Sequence, residues 1–103
     1  MGSIKVDYNV GFPDLSTEKK FNKFLEKVPA EYATKIAEAI RGLAQDPRPE
    51  GKKVRKLQGG ITIFNFVAQY RLRVGPYRIF YDVDDPARRV ILLTIARRTS
   101  TTY

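Results

Sequence analysis

Tyr70-Arg71-Leu72-Arg73-Val74-Gly75-Pro76-Tyr77-Arg78-Ile79-Phe80-Tyr81 is the stretch that decides the fold. Apolar Tyr70, Leu72 and Val74 alternate with polar Gln69, Arg71 and Arg73, the period-two signature of a half-buried strand. Gly75-Pro76 interrupts it as a turn. Tyr77, Ile79, Tyr81 and Val83 then form the apolar side of a second strand, which turns again at Asp84-Asp85-Pro86. Val90 to Ala96 supplies an apolar third strand, and the three together read as an antiparallel meander. The preceding stretch, Gly59 to Val67, reads either as an extension of the first meander strand or as a separate loop.

Parity along these strands sorts the arginines. With Leu72, Val74, Ile79, Tyr81, Ile91, Leu93 and Ile95 on one face, Arg71, Arg73, Arg78 and Arg98 share the other, because side chains alternate along a strand. Of the acidic residues only Asp82 and Asp84 share that parity, and they lie beyond Phe80, away from the Gly75-Pro76 turn. Four cations on one face repel one another, so the arrangement implies an anion held among them. The planar fork of arginine suits bidentate phosphate contacts.

Working back towards the N-terminus, the period changes from two to helical. Ile4, Val6, Tyr8 and Val10 alternate with polar residues as a first strand, ended by Gly11 and Pro13. Ser16 or Thr17 offers an N-cap, with Glu18 in the first turn. Phe21, Phe24, Leu25 and Val28 follow at the i, i+3, i+4, i+7 spacing of one helix face. Pro29 ends this helix and starts a second, running to about Ala44 with Ala33, Ile36, Ile40 and Leu43 inward, so an antiparallel helical hairpin is expected. The lysines and glutamates of the hairpin read as a solvated face. Asp46-Pro47-Arg48-Pro49-Glu50-Gly51 is a stiff loop between the halves and not a domain linker. The expectation is one α+β domain over residues 1–103, in the order β-α-α-β-β-β.

Composition narrows the chemistry. The 103 residues contain no cysteine and no histidine, which excludes disulfides, thiolate chemistry, histidine-based triads and the usual zinc ligand sets. No cofactor or metal is expected. No apolar run approaches the roughly 18–20 residues of a membrane span, and no secretory signal is visible, which together with the lack of cysteine fits a cytoplasmic protein. The net charge is +8, unevenly placed. Residues 1–47 carry seven basic and seven acidic side chains, whereas residues 48–103 carry twelve and four. An excess concentrated in one half points to a polyanionic partner, nucleic acid foremost.

The ordered set Lys56-Leu57, Tyr70-Arg71-Leu72-Arg73-Val74-Gly75, Tyr77-Arg78-Ile79-Phe80-Tyr81, Ile95-Ala96-Arg97-Arg98 and a terminal Tyr103 resembles the RelE/ParE superfamily of type II toxin–antitoxin toxins, more closely its RelE branch. The resemblance covers nearly the whole chain. It implies a metal-independent mRNA interferase that enters the ribosomal A site, cleaves the bound messenger through attack of a 2′-hydroxyl on the adjacent phosphate, and so inhibits translation. Its implied partners are a cognate acidic antitoxin, the ribosome and mRNA, and operator DNA through the antitoxin complex.

By position, Arg71 and Arg73 fall where the family places basic residues on the first meander strand. Arg78 matches the phosphate and transition-state ligand, and Arg98 the late arginine assigned to the leaving group. Tyr103 matches the C-terminal tyrosine that stacks on a base or orients the 2′-hydroxyl. Lys52, Lys53, Arg55 and Lys56 resemble wider RNA contacts. Arginine keeps its proton at neutral pH, so the general base stays open between Tyr103 and a lysine at 52, 53 or 56 on a loop folded inward. Arg97, of opposite parity, is expected to be structural or to meet the antitoxin. Two other readings stand beside this one: a ParE-like gyrase poison without nuclease activity, and a degenerate toxin acting only as a nucleic-acid-binding or transcriptional partner.

Overall fold

The computed structural model describes residues 7–98. Ile4, Val6 and Tyr103 lie outside them. In chain order the elements are β1 (Asn9–Gly11), α1 (Leu15–Glu26), α2 (Ala30–Gln45), β2 (Val54–Ile63), β3 (Phe66–Val74), β4 (Tyr77–Asp84) and β5 (Arg89–Arg97). The α+β class and the strand–helix–helix–sheet order are as the sequence implied. Lys52 and Lys53 precede β2, but Arg55 and Lys56 stand on that strand and not on a loop, and the stretch Gly59 to Val67 is the hairpin joining β2 to β3. The meander therefore has four strands.

The sheet order is β1-β5-β4-β3-β2. All meander pairs are antiparallel, while β1 joins β5 in parallel with Val10 opposite Val90. Strands β2 and β3 shift register between Lys56 and Ile61, at Gly59 and Gly60, both with positive φ. A Cβ on Gly60 would stand 2.5 Å from Val67 Cγ1, so that irregularity requires glycine.

The core lies between one sheet face and both helices. Phe21, Val28, Ile36 and Leu43 pack with Leu72, Val74, Tyr77, Ile79, Tyr81, Val90, Leu92 and Ile95. The β4–β5 register shifts between Phe80 and Tyr81, whose partners are Thr94 and Leu92, leaving Leu93 as an extra residue. That bulge corrects the parity expected for β5. Val90 and Leu92, not Ile91 and Leu93, join Ile95 in this core, because a bulge exchanges the two faces of the strand before it.

Two helix expectations also change. The N-cap of α1 is Asp14, not Ser16 or Thr17; its carboxylate accepts the Thr17 N–H at 2.8 Å. Leu15 is already helical, so Ser16 and Thr17 lie within the first turn. Phe24 is 36% exposed and sits at the rim, whereas Phe21 is buried edge-on to Phe12 at 5.2 Å. In α2 the expected residues hold, with Ile36 and Leu43 buried and Ala33 and Ile40 partly so.

The loop between α2 and β2 is tied down at both faces of Pro47-Arg48. Tyr81 Oη donates to the Pro47 carbonyl at 2.7 Å from inside the core. Arg48 Nη2 lies 2.9 Å from Asp85, which also accepts from Tyr8 Oη. Tyr70 stacks on Tyr81 at 5.5 Å and Tyr77 packs edge-on to Tyr32 at 5.6 Å, so these tyrosines are packing residues. No helix of the described residues is long and apolar enough to cross a membrane.

Candidate phosphate-binding site

The face of the sheet away from the helices carries the arginines, and pairing register brings them together. Arg73 is the direct partner of Arg78 across β3–β4, and Arg55 the partner of Arg71 across β2–β3. Phe80 faces Arg71, and Ala96 faces Arg78 from β5. Because directly opposed residues share a face, Arg55, Arg71, Arg73 and Arg78 form one patch with Phe80 and Ala96 beneath it. The Arg98 N–H donates to the Pro76 carbonyl at 2.7 Å, which holds the chain after β5 against the β3–β4 turn and brings Arg98 to the same place.

These side chains line a concavity of about 590 Å³ together with Leu57, Ile61 and Arg97. Among the described residues, six of the ten that line it are arginines and none is acidic. Asp82 and Asp84 lie at the far end of β4, accepting from the N–H groups of Val83 and Ala87. Leu57, Ile61, Phe80 and Ala96 supply an apolar floor, which strengthens every charge above it by displacing water.

Arg78 is the centre of the constellation. It is 8% exposed, unusual for a cation, and its Nη1 donates at 2.9 Å to the carbonyls of Gly75 and Tyr77. The turn it follows thus locks its guanidinium. Burial, and then the positive charges of Arg71, Arg98 and Arg73, push its pKa below the ordinary arginine value. The same three neighbours that make its charge costly are those that a bound phosphate would offset.

Of the residues expected from sequence, Arg71, Arg73, Arg78, Arg98 and Arg55 converge on this concavity. Lys53 lies at a neighbouring groove beside Arg73, and its carbonyl accepts the Arg73 N–H at 2.7 Å. Lys56 lines a separate hollow at the β2 irregularity, and Lys52 is exposed and lines neither. Tyr103 is outside the described residues. Arg97 lines the main concavity despite its opposite parity, since β5 ends there. The sequence reading missed the apolar floor, which strand parity could have indicated through Phe80 and Ala96. It also missed Lys35 and Glu38 of α2, which line the groove beside Arg73, Arg78 and Arg98. Nothing in helical periodicity marks those two apart from a solvated face.

The profile of the family described as ParE toxin of type II toxin-antitoxin system, parDE, matches residues 15–101. No curated protein matches the chain in sequence. Among solved structures, the chain is similar to the archaeal RelE–RelB complex from Pyrococcus horikoshii OT3, with a TM-score of 0.71, 26% identity, and coverage of 92% of this chain and 99% of that one. The toxin–antitoxin complex RelBE2 from Mycobacterium tuberculosis aligns with a TM-score of 0.62 at 24% identity, over 90% of this chain and 100% of that one. A double arginine-to-alanine mutant of E. coli toxin RelE in the free state aligns with a TM-score of 0.56 at 18% identity, over 92% of this chain and 87% of that one. With an arginine-lined sheet face on this fold and a family match over most of its length, the chain belongs to the ParE toxin family of type II toxin–antitoxin systems, within the RelE/ParE superfamily.

Proposed function

We propose that this toxin is a ribosome-dependent endoribonuclease that cleaves mRNA in the ribosomal A site, in the cytoplasm, and is neutralised by a cognate antitoxin. The observation that carries the reading is the buried, backbone-locked Arg78 surrounded by Arg71, Arg73 and Arg98 in a concavity with no acidic lining among the described residues. Transfer of an RNA phosphate to its own 2′-hydroxyl leaves a 2′,3′-cyclic phosphate and a 5′-hydroxyl. Negative charge builds on the phosphate oxygens and on the leaving 5′-oxygen, and fixed cations stabilise both.

In this reading Arg78 and Arg73, paired across β3–β4, grip the scissile phosphate, while Arg71 and Arg55 hold the flanking backbone on the β2 side. Arg98, fixed beside the turn, faces the leaving oxygen. Among the described residues, none lining the concavity can accept a proton at neutral pH, because the ionisable ones are all arginines. In this reading the base is Tyr103 or a group supplied by the ribosome-bound substrate, which is consistent with a ribosome-dependent reaction. An acidic antitoxin masks the same cationic face.

Mapping RNA ends after induction tests the reading. New 5′-hydroxyl ends within translated messages, with rapid arrest of protein synthesis, support it. The family profile carries the ParE description, which favours a second reading as a gyrase poison. Filamentation with DNA damage and intact messages would establish that reading and overturn the first.

A further inference from the structure

The arginines of the concavity have a second side. Arg73, Arg78 and Arg98 also border a groove of about 670 Å³ between α2 and the β3–β4 turn, where Lys35 and Lys53 join them. Gly75 lines the groove and brings the turn close to Tyr32 of α2. Its φ is +56°, and a Cβ there would stand 2.6 Å from Tyr32 Cε1, so only glycine lets α2 approach this closely. Tyr32 in turn packs on Tyr77, and Lys35, one turn further along α2, holds its ammonium 5.7 Å from the centre of the Tyr32 ring. Lys53 is set on the opposite bank by its backbone bond to Arg73. Two cations from distant parts of the chain are thereby brought to one groove that opens onto the same three arginines as the main concavity.

We propose that this groove is a second phosphodiester subsite, in which Lys35 and Lys53 hold the phosphate next to the scissile one on the same RNA strand. The inference rests on the cleavage reading above. A strand leaving the scissile position crosses the Gly75–Pro76 edge and continues along α2. Arg73, Arg78 and Arg98 border both hollows, so the two are adjacent, which suits consecutive phosphates of one strand. Among the described residues, Glu38 is the only carboxylate lining the groove, one helical turn from Lys35. It limits how strongly the groove attracts any polyanion, so that binding depends on the strand being held at the arginines as well.

The test is single-turnover cleavage on programmed ribosomes with the full-length toxin. Lys35→Ala with Lys53→Ala raises the toxin concentration giving half-maximal rate about tenfold with little change in the saturated rate, since charge-assisted contacts of ground and transition state are lost equally. Glu38→Gln lowers that concentration, and Lys23→Ala, on the far helix, leaves it unchanged. For free single-stranded RNA, the slope of log affinity against log salt falls by about 0.7 for each lysine removed. A message carrying a neutral methylphosphonate at the linkage next to the cleavage point identifies the contact. The wild type loses affinity for it, and the double-lysine variant, left with the three arginines, loses markedly less. If the methylphosphonate penalty on either side of the scissile phosphate is the same in wild type and variant, the subsite is wrong although cleavage stands. If the wild type leaves messages uncut, the cleavage reading fails and the subsite with it.

Discussion

At the scale of single residues, Arg78 needs variants that separate folding from the proposed chemistry, because its guanidinium also bonds the carbonyls of Gly75 and Tyr77. Arg78→Ala removes the donor from two carbonyls as well as the central charge, so Arg78→Lys, which keeps the charge and loses the fork, is the informative companion. Both are expected to lower the single-turnover rate by about 10²–10³, and only the alanine variant to lower the melting temperature. Arg71→Ala with Arg73→Ala should act differently, weakening engagement while saturating ribosomes restore most of the rate. If saturation fails to restore it, those arginines take part in the chemical step. Away from the site, Tyr81→Phe leaves the Pro47 carbonyl without its buried donor. It should cost about 1–2 kcal/mol in urea unfolding with activity intact. The arginines were legible as a set because strand parity needs only the sequence. The burial of Arg78 was not, since it depends on β5 covering one flank of β4 and on a turn whose carbonyls point at the guanidinium.

At the scale of elements, the tight turn between β3 and β4 and the cap of α1 make separate demands. Gly75→Ala forces a left-handed φ on a residue with a Cβ, at about 1–2 kcal/mol, and drives that Cβ into Tyr32. Urea unfolding should register the loss, and the groove along α2 should open with it. Asp14 has its pKa held below the usual 3.8, chiefly by the Thr17 backbone N–H and then by further bonding to Thr17. A carboxylate depressed in the folded state adds stability above its unfolded pKa and loses it as pH falls through the lower folded value. Asp14→Asn, which can still cap, should therefore flatten the dependence of melting temperature on pH below about pH 4 and change little at neutrality. Calorimetry across that range decides it. The cap was misplaced in the sequence because Asp14, Ser16 and Thr17 all have capping side chains, and only the true first helical residue chooses among them. The β5 bulge was hidden for a related reason: Val90 to Ala96 is apolar throughout except Thr94, so alternation cannot report which residues face the core.

At the scale of the whole molecule, charge asymmetry bears on how an antitoxin would associate. A net +8 concentrated after residue 47 should steer an acidic antitoxin, so its on-rate should fall as salt rises from 50 to 500 mM while the off-rate, set by apolar anchors, changes little. Stopped-flow binding tests this, and a salt-independent on-rate would mean the cationic face serves RNA alone. The sequence by itself determined the α+β class, the two helices, the hairpin at Gly75-Pro76 and the shared face of Arg71, Arg73, Arg78 and Arg98. Each of these rests on periodicity or turn chemistry within a dozen or so residues. Tertiary structure decided the parallel joining of β1 to β5, the separate strand β2, the apolar floor under the arginines, and the meeting of Lys35 with Lys53 across the groove. Those features depend on register between strands and on how closely a helix approaches a sheet, and packing between segments far apart in the chain is what sets both.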